Sequence, residues 1–232
     1  MVFWVEAAVL KVLAFDTSTE YCSLALWFDG EILNREVLAG QRHSELLLPL
    51  LHELLEEAGL TLSQMDGIAF GAGPGSFTGL RIACGVAQGL AFGMNLPVIG
   101  ISTLEALAQQ TGDANVIVAI DARMGEIYHA SYTKSVDGWQ VVSEPSLCLP
   151  QQAPMMSGSN WTGCGSGFAK YDETLRGRYQ GSIGRIARDL SPRAREMVQL
   201  AVPRFLGGLA VDPADAAPLY IRNKVALKES ER

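Results

Sequence analysis

The chain is poor in the residues that hold metals or form disulfide frameworks. Its 232 residues include three histidines and four cysteines. No two cysteines have the close CxxC spacing of a zinc or redox site, and no HxxxH or HExxH pair is present. We therefore expect no metal centre, and we expect the four thiols to be reduced and mostly packed, as is usual in the cytoplasm.

A convincing membrane segment or secretion signal is also missing. The uncharged stretch 82–104 is long enough to span a bilayer, but Asn95, Pro97 and several glycines interrupt it and favour a helix followed by a strand. The N-terminus is apolar, yet it contains Glu6 and lacks the basic region of a signal peptide. We expect a cytoplasmic protein that does not enter the membrane.

Positive charge is scarce, since 18 Lys and Arg stand against 25 Asp and Glu, for a net charge of −7. Such a chain is a poor candidate for independent nucleic-acid binding, which relies on neutralising phosphates. The deficit is uneven. Residues 1–116 contain four basic and 13 acidic residues, whereas residues 117–232 contain 14 basic and 12 acidic ones. Hydrophobic residues make up 48% of the chain, which excludes disorder as the main state.

Apolar runs and turn signals predict alternating strands and helices. Strands are predicted at 9–15, 22–28, 31–39, 68–71, 97–101, 117–121, 126–132, 140–143 and 161–164. Helices are predicted at 44–58, 76–94 and 103–110, and from Ser191, with Pro192 at the first helical position. This order of elements indicates an α/β protein.

The pattern restarts half-way along the chain. One apolar strand ends in Asp16 and a second, 105 residues later, in Asp121, and each is followed by a turn, a strand and an Asp-Gly pair. A chance match of two strand–turn–strand units is the alternative to an internal duplication. Duplication predicts the two-lobed actin/Hsp70/sugar-kinase-like (ASKHA, ribonuclease H-like) fold, here with lobes at 9–110 and 111–232. In that superfold the two aspartates grip nucleotide phosphates and metal, which is analogy at the level of the fold.

Two segments have the composition of anion-binding loops. The first resembles the first phosphate loop of the superfold, although a serine replaces the usual glycine; it consists of Asp16, Thr17, Ser18 and Thr19. The second is the glycine-rich stretch 71–81, where Ser76 or Thr78 can cap the following helix and free N–H groups can hold an anion. No Gly-Lys-Ser/Thr follows, so it is not a Walker loop. For both segments the alternative is a purely structural turn.

The first two helices look suited to a partner. Eight apolar side chains cover more of helix 44–58 than one core requires, among them Leu47, Leu50, Leu51 and Leu54. In helix 76–94, glycines recur every fourth residue, at Gly85, Gly89 and Gly93, and each interior glycine costs about 0.8–1 kcal/mol relative to alanine. Either another subunit packs closely on these faces, or the leucines are deeply buried and the glycines pack tightly within the same domain.

Several motifs together resemble the bacterial TsaB (YeaZ) family, and the likeness extends from about Val9 to Ala226. They are Asp16-Thr-Ser-Thr, His43-Ser-Glu45, Gly73-Pro-Gly-Ser-Phe-Thr-Gly-Leu-Arg81, Gly100-Ile-Ser-Thr-Leu-Glu105, Asp121-Ala-Arg123, and Pro218-Leu-Tyr-Ile-Arg-Asn223 with Val225-Ala226. Residues 1–8 precede the usual start of the family and are interpreted as an N-terminal extension.

The resemblance implies a non-catalytic scaffold or activator with no catalytic residues of its own. Its expected partners are the paralogue TsaD, which transfers threonylcarbamoyl to the adenine next to the anticodon of tRNAs that read codons starting with A, and the ATPase TsaE. The first two helices are implied to form the TsaD heterodimer, and a homodimer in its absence, through Leu47, Leu50, Leu51, Leu54, Arg81, Gly85, Gly89 and Gly93. Contact with tRNA would be indirect. No cofactor is assigned to this chain, and ADP or ATP at the complex interface is left open.

The competing hypothesis is an ATP-dependent small-molecule kinase or hydrolase that uses Asp16 and Asp121 around Mg²⁺. It requires an intact first phosphate loop, and Ser18 counts against it. A third hypothesis, direct tRNA binding, predicts a steeply salt-dependent affinity of the lone protein for RNA.

Overall fold

A computed structural model describes residues 10–222. The predicted N-terminal extension and the motif residues Asn223, Val225 and Ala226 lie outside the described residues. The first sheet contains β1 (Val12–Asp16), β2 (Tyr21–Phe28), β3 (Glu31–Leu38), β4 (Gly67–Gly73) and β5 (Val98–Ser102). Its helices are α1 (His43–Glu57), α2 (Phe77–Met94) and α3 (Thr103–Thr111).

The second half of the chain builds a second five-stranded sheet. Its strands are β6 (Asn115–Asp121), β7 (Ile127–Ser135), β8 (Gly138–Cys148), β9 (Trp161–Cys164) and β10 (Ile183–Ala187). Its helices are α4 (Ser166–Lys170), α5 (Asp172–Arg178) and α6 (Ala194–Leu206). Single 3₁₀ turns occur at Leu62–Gln64, Pro150–Gln152 and Pro213–Asp215.

The two sheets have the same topology. The first has the order β3-β2-β1-β4-β5 and the second β10-β9-β6-β7-β8, which is the same order read from the other edge. In both, the first strand pairs antiparallel with the second and parallel with the fourth. Asp16 and Asp121 therefore end equivalent strands. The predicted duplication and the two-lobed α/β fold of the actin class are confirmed.

Side-chain alternation along β1 shows how the first sheet is covered on both faces. Leu13 and Phe15 point into a core that they share with α1 and α2. Val12 and Ala14 point to the other face, where Met197 and other residues of α6 pack. A strand with both faces buried reads as a continuous apolar run, which is why β1 stands out in the sequence.

The helices between the two sheets do not stay with their own half of the chain. Helix α3 follows the first sheet but packs Leu104 and Leu107 against β6 of the second. Helix α6 follows the second sheet but covers the first. The two helices also contact each other. A division of the chain near residue 110 therefore separates the strands of the two sheets but does not separate their cores.

One helix start differs from the sequence prediction. Helix α6 begins at Ala194 rather than near Ser191. Arg193 still has an extended backbone, and the hydroxyl of Ser23 on β2 accepts a hydrogen bond from the Ala194 amide at 2.9 Å. A side chain 171 residues away therefore caps this helix end, and no local pattern identifies such a partner.

Candidate functional site

Asp16 lies at the end of β1 and is fully buried. Its Oδ2 accepts hydrogen bonds from the backbone N–H of Ser18 at 3.1 Å and from the Ser18 hydroxyl at 2.8 Å. Its Oδ1 has no hydrogen-bond donor among the described residues. Burial raises the pKa of Asp16 to about 7, against the lowering effect of these hydrogen bonds. The carboxyl is thus held inside the fold and does not face solvent.

The glycine-rich loop after β4 packs directly on the turn that follows Asp16. A Cβ at Gly79 would lie 1.8 Å from the carbonyl oxygen of Thr17, and one at Gly75 would lie 2.8 Å from the Cβ of Ser18. The hydroxyl of Thr17 donates to the carbonyl of Gly79 at 2.7 Å, and the amide of Ser76 donates to the carbonyl of Ser18 at 2.8 Å. The two predicted anion loops therefore fill each other's space.

This packing explains the glycines of the loop as structural. Ser76 caps α2 and accepts a weak hydrogen bond from the Gly79 amide at 3.4 Å. The structural alternative for residues 71–81, a strand-to-helix turn, accounts for Gly75 and Gly79 without a ligand. Anion binding by Asp16, Thr17, Ser18 and Thr19 stays a prediction, and Ser18 and Thr19 line the cleft between the two lobes.

Asp121, the equivalent aspartate of the second lobe, is neutralised by its own neighbours. It accepts hydrogen bonds from Lys170 Nζ at 2.9 Å, from the Tyr171 hydroxyl at 3.2 Å and from the Arg123 amide at 3.1 Å. Burial opposes its charge, but the hydrogen bonds and the charge of Lys170 outweigh that effect and lower the pKa of Asp121. Asp16 is thus buried beside Ser18, and Asp121 is paired with Lys170.

A cleft of about 1260 Å³ separates the two lobes on the side where β1 and β6 end. Thr19 and His43 line it from the first lobe, and Asp121 and Lys170 line it from the second. Residues of the C-terminal segment also line it, namely Leu219, Tyr220, Ile221 and Arg222. Asp16 is not part of its wall, so the cleft does not bring the two predicted aspartates together.

The structure corrects the predicted partner surface on α1. Leu47, Leu51 and Leu54 are buried in the core of the first lobe, so they cannot contact another subunit. They pack on the sheet, which is the deep-burial alternative. Leu50 is half-buried at the edge of this core, and the exposed apolar side chain of α1 is Leu48, at 50%.

The glycine column of α2 faces outward. Gly85, Gly89 and Gly93 are exposed, and apart from the backbone of α2 itself a Cβ at any of them would meet no atom of the described residues within 4 Å. The alanines Ala83, Ala87 and Ala91 face the core instead. Tight packing inside the same domain is therefore wrong for the glycines. Nearby, Phe92 is 79% exposed, so this side of α2 is smooth and partly apolar.

Arg81, also predicted for the partner surface, is engaged by its own chain. Its guanidinium carbon lies 3.8 Å from the centre of the Phe77 ring, and its Nε donates to the Tyr220 hydroxyl at 3.0 Å. The Phe77 and Tyr220 rings are 5.7 Å apart. Arg81 remains exposed at the start of α2, where it joins that helix to the C-terminal segment.

Comparisons with known proteins decide the family. Residues 36–159 match the family model described as TsaD, tRNA N6-adenosine threonylcarbamoyltransferase. The tRNA threonylcarbamoyladenosine biosynthesis protein TsaB of Escherichia coli is 38% identical over 95% of this chain and 98% of its own length. The Haemophilus influenzae protein of the same name is 38% identical over 95% and 97%. The chain belongs to the TsaB family.

Solved structures agree with this membership. A Pseudomonas aeruginosa protein described as similar to the peptidase YeaZ superposes with a TM-score of 0.85 and 36% identity, covering 92% of this chain and all of its own. YeaZ from Pseudomonas aeruginosa gives a TM-score of 0.84 at the same identity, over 91% and 99%. The resemblance found in the motifs of this TsaB-family chain is thus confirmed.

Sequence reasoning missed the contacts that involve Lys170, Tyr220 and Arg222. Tyr220 and Arg222 stand in the motif 218–223, but nothing in their spacing shows that they meet Arg81 and the second lobe. Within residues 10–222, no group of three or more His, Cys, Asp or Glu side chains is arranged to hold a metal ion. Over the same residues, no helix combines the length and the apolar character that crossing a membrane requires.

Proposed function

We propose that this chain is a non-catalytic subunit of tRNA threonylcarbamoyladenosine biosynthesis in the cytoplasm. In this role it binds the paralogue TsaD and supports the transfer of threonylcarbamoyl to the adenine next to the anticodon. Membership of the TsaB family supports the pathway. The observation that carries the partner role is the outward glycine column of α2, where no other part of residues 10–222 occupies the space that a side chain would take.

The energetics of that column favour a partner. Gly85 and Gly89 lie in the interior of α2 and together cost about 2 kcal/mol relative to alanine. No packing within the described chain recovers this free energy, since the space beside Gly85, Gly89 and Gly93 is open. A smooth helix face allows another helix backbone to approach closely, and a subunit that docks there would recover the cost in buried area. The interface therefore includes these glycines, with Leu48 or Leu50 at its edge on α1.

The state of the two aspartates supports a non-catalytic role over the kinase or hydrolase. Asp16 is buried beside its own Ser18, and Asp121 is paired with Lys170. We place ADP or ATP, where the complex uses one, at the interface with TsaD. TsaE acts on the assembled pair, tRNA is held by TsaD, and a homodimer of this chain uses the same α2 face when TsaD is absent.

The test is a leucine at the centre of the column. A leucine at position 89 has room among the described residues, and it has a higher helix propensity than glycine. We therefore expect the free energy of unfolding of Gly89→Leu to equal that of the parent or to exceed it by roughly 0.8 kcal/mol. It should weaken binding to TsaD about tenfold or more, because overpacking an interface costs about 1–3 kcal/mol. Binding is measured by calorimetry with purified TsaD, and function by reconstituted tRNA modification.

Gly177→Leu is the matched control, because Gly177 is also an exposed helical glycine with nothing within 4 Å, on α5 of the other lobe. The control should bind TsaD normally. Unchanged TsaD affinity in Gly89→Leu would show that the interface is elsewhere. Robust ATP turnover by the isolated chain would contradict the non-catalytic role.

A further inference from the structure

The C-terminal segment 216–222 lines the cleft with its residues 219–222 and touches both lobes. At its start, the carbonyl of Ala216 accepts a hydrogen bond from Gln88 Nε2 of α2 at 3.1 Å. Further on, the amide of Leu219 donates to the carbonyl of Ala72 on β4 at 2.7 Å, and Tyr220 joins Phe77 and Arg81. These contacts fasten the segment to the first lobe.

Arg222 then reaches the second lobe. Its Nη2 donates to the carbonyl of Ala122 at 2.9 Å and lies 2.8 Å from Oε2 of Glu126. Its Nη1 lies 3.5 Å from the sulfur of Met124. One guanidinium thus contacts three residues of the β6–β7 turn, and both members of the ion pair are largely shielded from solvent, at 16% and 28% exposure. Charge-assisted hydrogen bonds in such surroundings are stronger than those on an open surface.

The turn that Arg222 contacts has an unfavourable backbone. Arg123, Met124 and Gly125 have consecutive φ values of 63°, 54° and 80°, all in the left-handed region. Only glycine adopts this conformation without a steric penalty, so the two non-glycine residues must be held there by surrounding contacts. Asp121, through the Arg123 amide, and Arg222, through the Ala122 carbonyl, are positioned to do this.

The lobes also meet at α3 and α6, where Trp139 Nε1 donates to Gln109 Oε1 at 2.9 Å and Gln109 Nε2 donates to Gln199 Oε1 at 3.0 Å. A two-lobed molecule joined on one side can open by a hinge motion. A second attachment that bridges the cleft restricts such a motion.

We propose that residues 216–222 are a strap that holds the two lobes at a fixed separation, and that Arg222 is the positioning residue that fastens the strap to the second lobe. The contacts of Arg222 link the β6–β7 turn to the strap, so the two are stabilised together. Loss of Arg222 therefore loosens the turn and, at the same time, weakens the hydrogen bond between Leu219 and the first lobe.

Arg222→Ala tests the strap in the full chain. The side chain of Arg123 is 86% exposed, so trypsin can cut after it once the turn opens. Removing hydrogen bonds to a charged group should raise the opening equilibrium, and hence the cleavage rate after Arg123, about tenfold or more. Hydrogen exchange of the Leu219 amide should accelerate in the same variant, which a purely local role of Arg222 in the turn would not produce.

Arg188→Ala is the matched control, since Arg188 is also an arginine of the second lobe in an ion pair, at 3.0 Å from Asp172, but it has no contact with the strap in the structure. This control should leave both readouts unchanged. If Arg222→Ala lowers hydrogen-exchange protection throughout β1 and β6, the whole fold is destabilised, and Glu126→Gln is the variant to use instead. Glu126→Gln removes the ion pair and keeps the contact between Arg222 and Ala122. Cleavage after Arg123 and exchange of the Leu219 amide should then both increase, by a smaller factor. Unchanged cleavage after Arg123, or unchanged exchange at Leu219 with a loosened turn, would overturn the strap.

Discussion

The buried carboxyl of Asp16 makes a strong prediction about stability and pH. Burial raises its pKa from 3.8 to about 7, so between about pH 4 and pH 7 the folded chain binds a proton that the unfolded chain does not. The contribution of Asp16 to stability is therefore greatest at acid pH and falls as the pH rises towards 7. From about pH 5 to pH 8.5, this loss amounts to roughly 2–3 kcal/mol.

Asp16→Asn should abolish this pH dependence. The asparagine oxygen can accept the two hydrogen bonds from Ser18, while its amide group faces Gly71 and Met197. An unpaired buried amide costs about 1–3 kcal/mol, so we expect the variant to be less stable than the parent near pH 5. Near pH 8.5 the difference should shrink or reverse, because the parent then carries a buried charge and the variant does not.

The assay is urea unfolding of both proteins at several pH values, with the unfolding free energy extrapolated to water. The quantity of interest is the difference between variant and parent, which cancels groups common to both, such as Asp121 with its lowered pKa. A difference that stays constant from about pH 5 to pH 8.5 would refute the assignment of a raised pKa to Asp16.

Two further predictions concern packing. Gly79→Ala should destabilise the chain by at least the roughly 1–3 kcal/mol that overpacking costs, because the new Cβ would overlap the Thr17 carbonyl. Gly85→Ala on the same helix should stabilise the chain by about 0.8–1 kcal/mol. Equal unfolding midpoints for the two variants would contradict the packing of Gly79 against Thr17. Leu54→Ala should cost about 2–5 kcal/mol in chemical unfolding, and Leu48→Ala less than about 1 kcal/mol, whereas similar losses would mean that Leu54 is not a core residue.

Helix α1 shows what the periodicity of apolar residues can predict and what it cannot. The sequence predicts α1 within one residue at each end, 44–58 against His43–Glu57. The sequence also shows more columns of leucine than one core requires, but it does not show whether a given column packs on the sheet or on a partner. Leu47, Leu51 and Leu54 meet the sheet because of how α1 docks on β2, and that docking is set by contacts distant in sequence.

The glycines of α2 show a limit of sequence reasoning. They stand out in the sequence, but two different structural constraints produce the same residue. Gly79 is required because the Thr17 carbonyl approaches it, while Gly85 has empty space around it. Duplicated topology could be predicted because it repeats along the chain, as the strands ending in Asp16 and Asp121 show. The contacts of Arg222 could not, since they depend on how the two copies are placed in space.

The crossing of α6 to the first sheet has a consequence for synthesis on the ribosome. The last strand of the first sheet ends at Ser102, but one face of this sheet is covered by α6, which ends at Leu206. At a rate of about 5–20 residues per second, that face stays uncovered for roughly 5–20 s. During that time the nascent chain exposes an apolar face of the first sheet. We therefore expect residues 1–110 to aggregate when they are expressed alone.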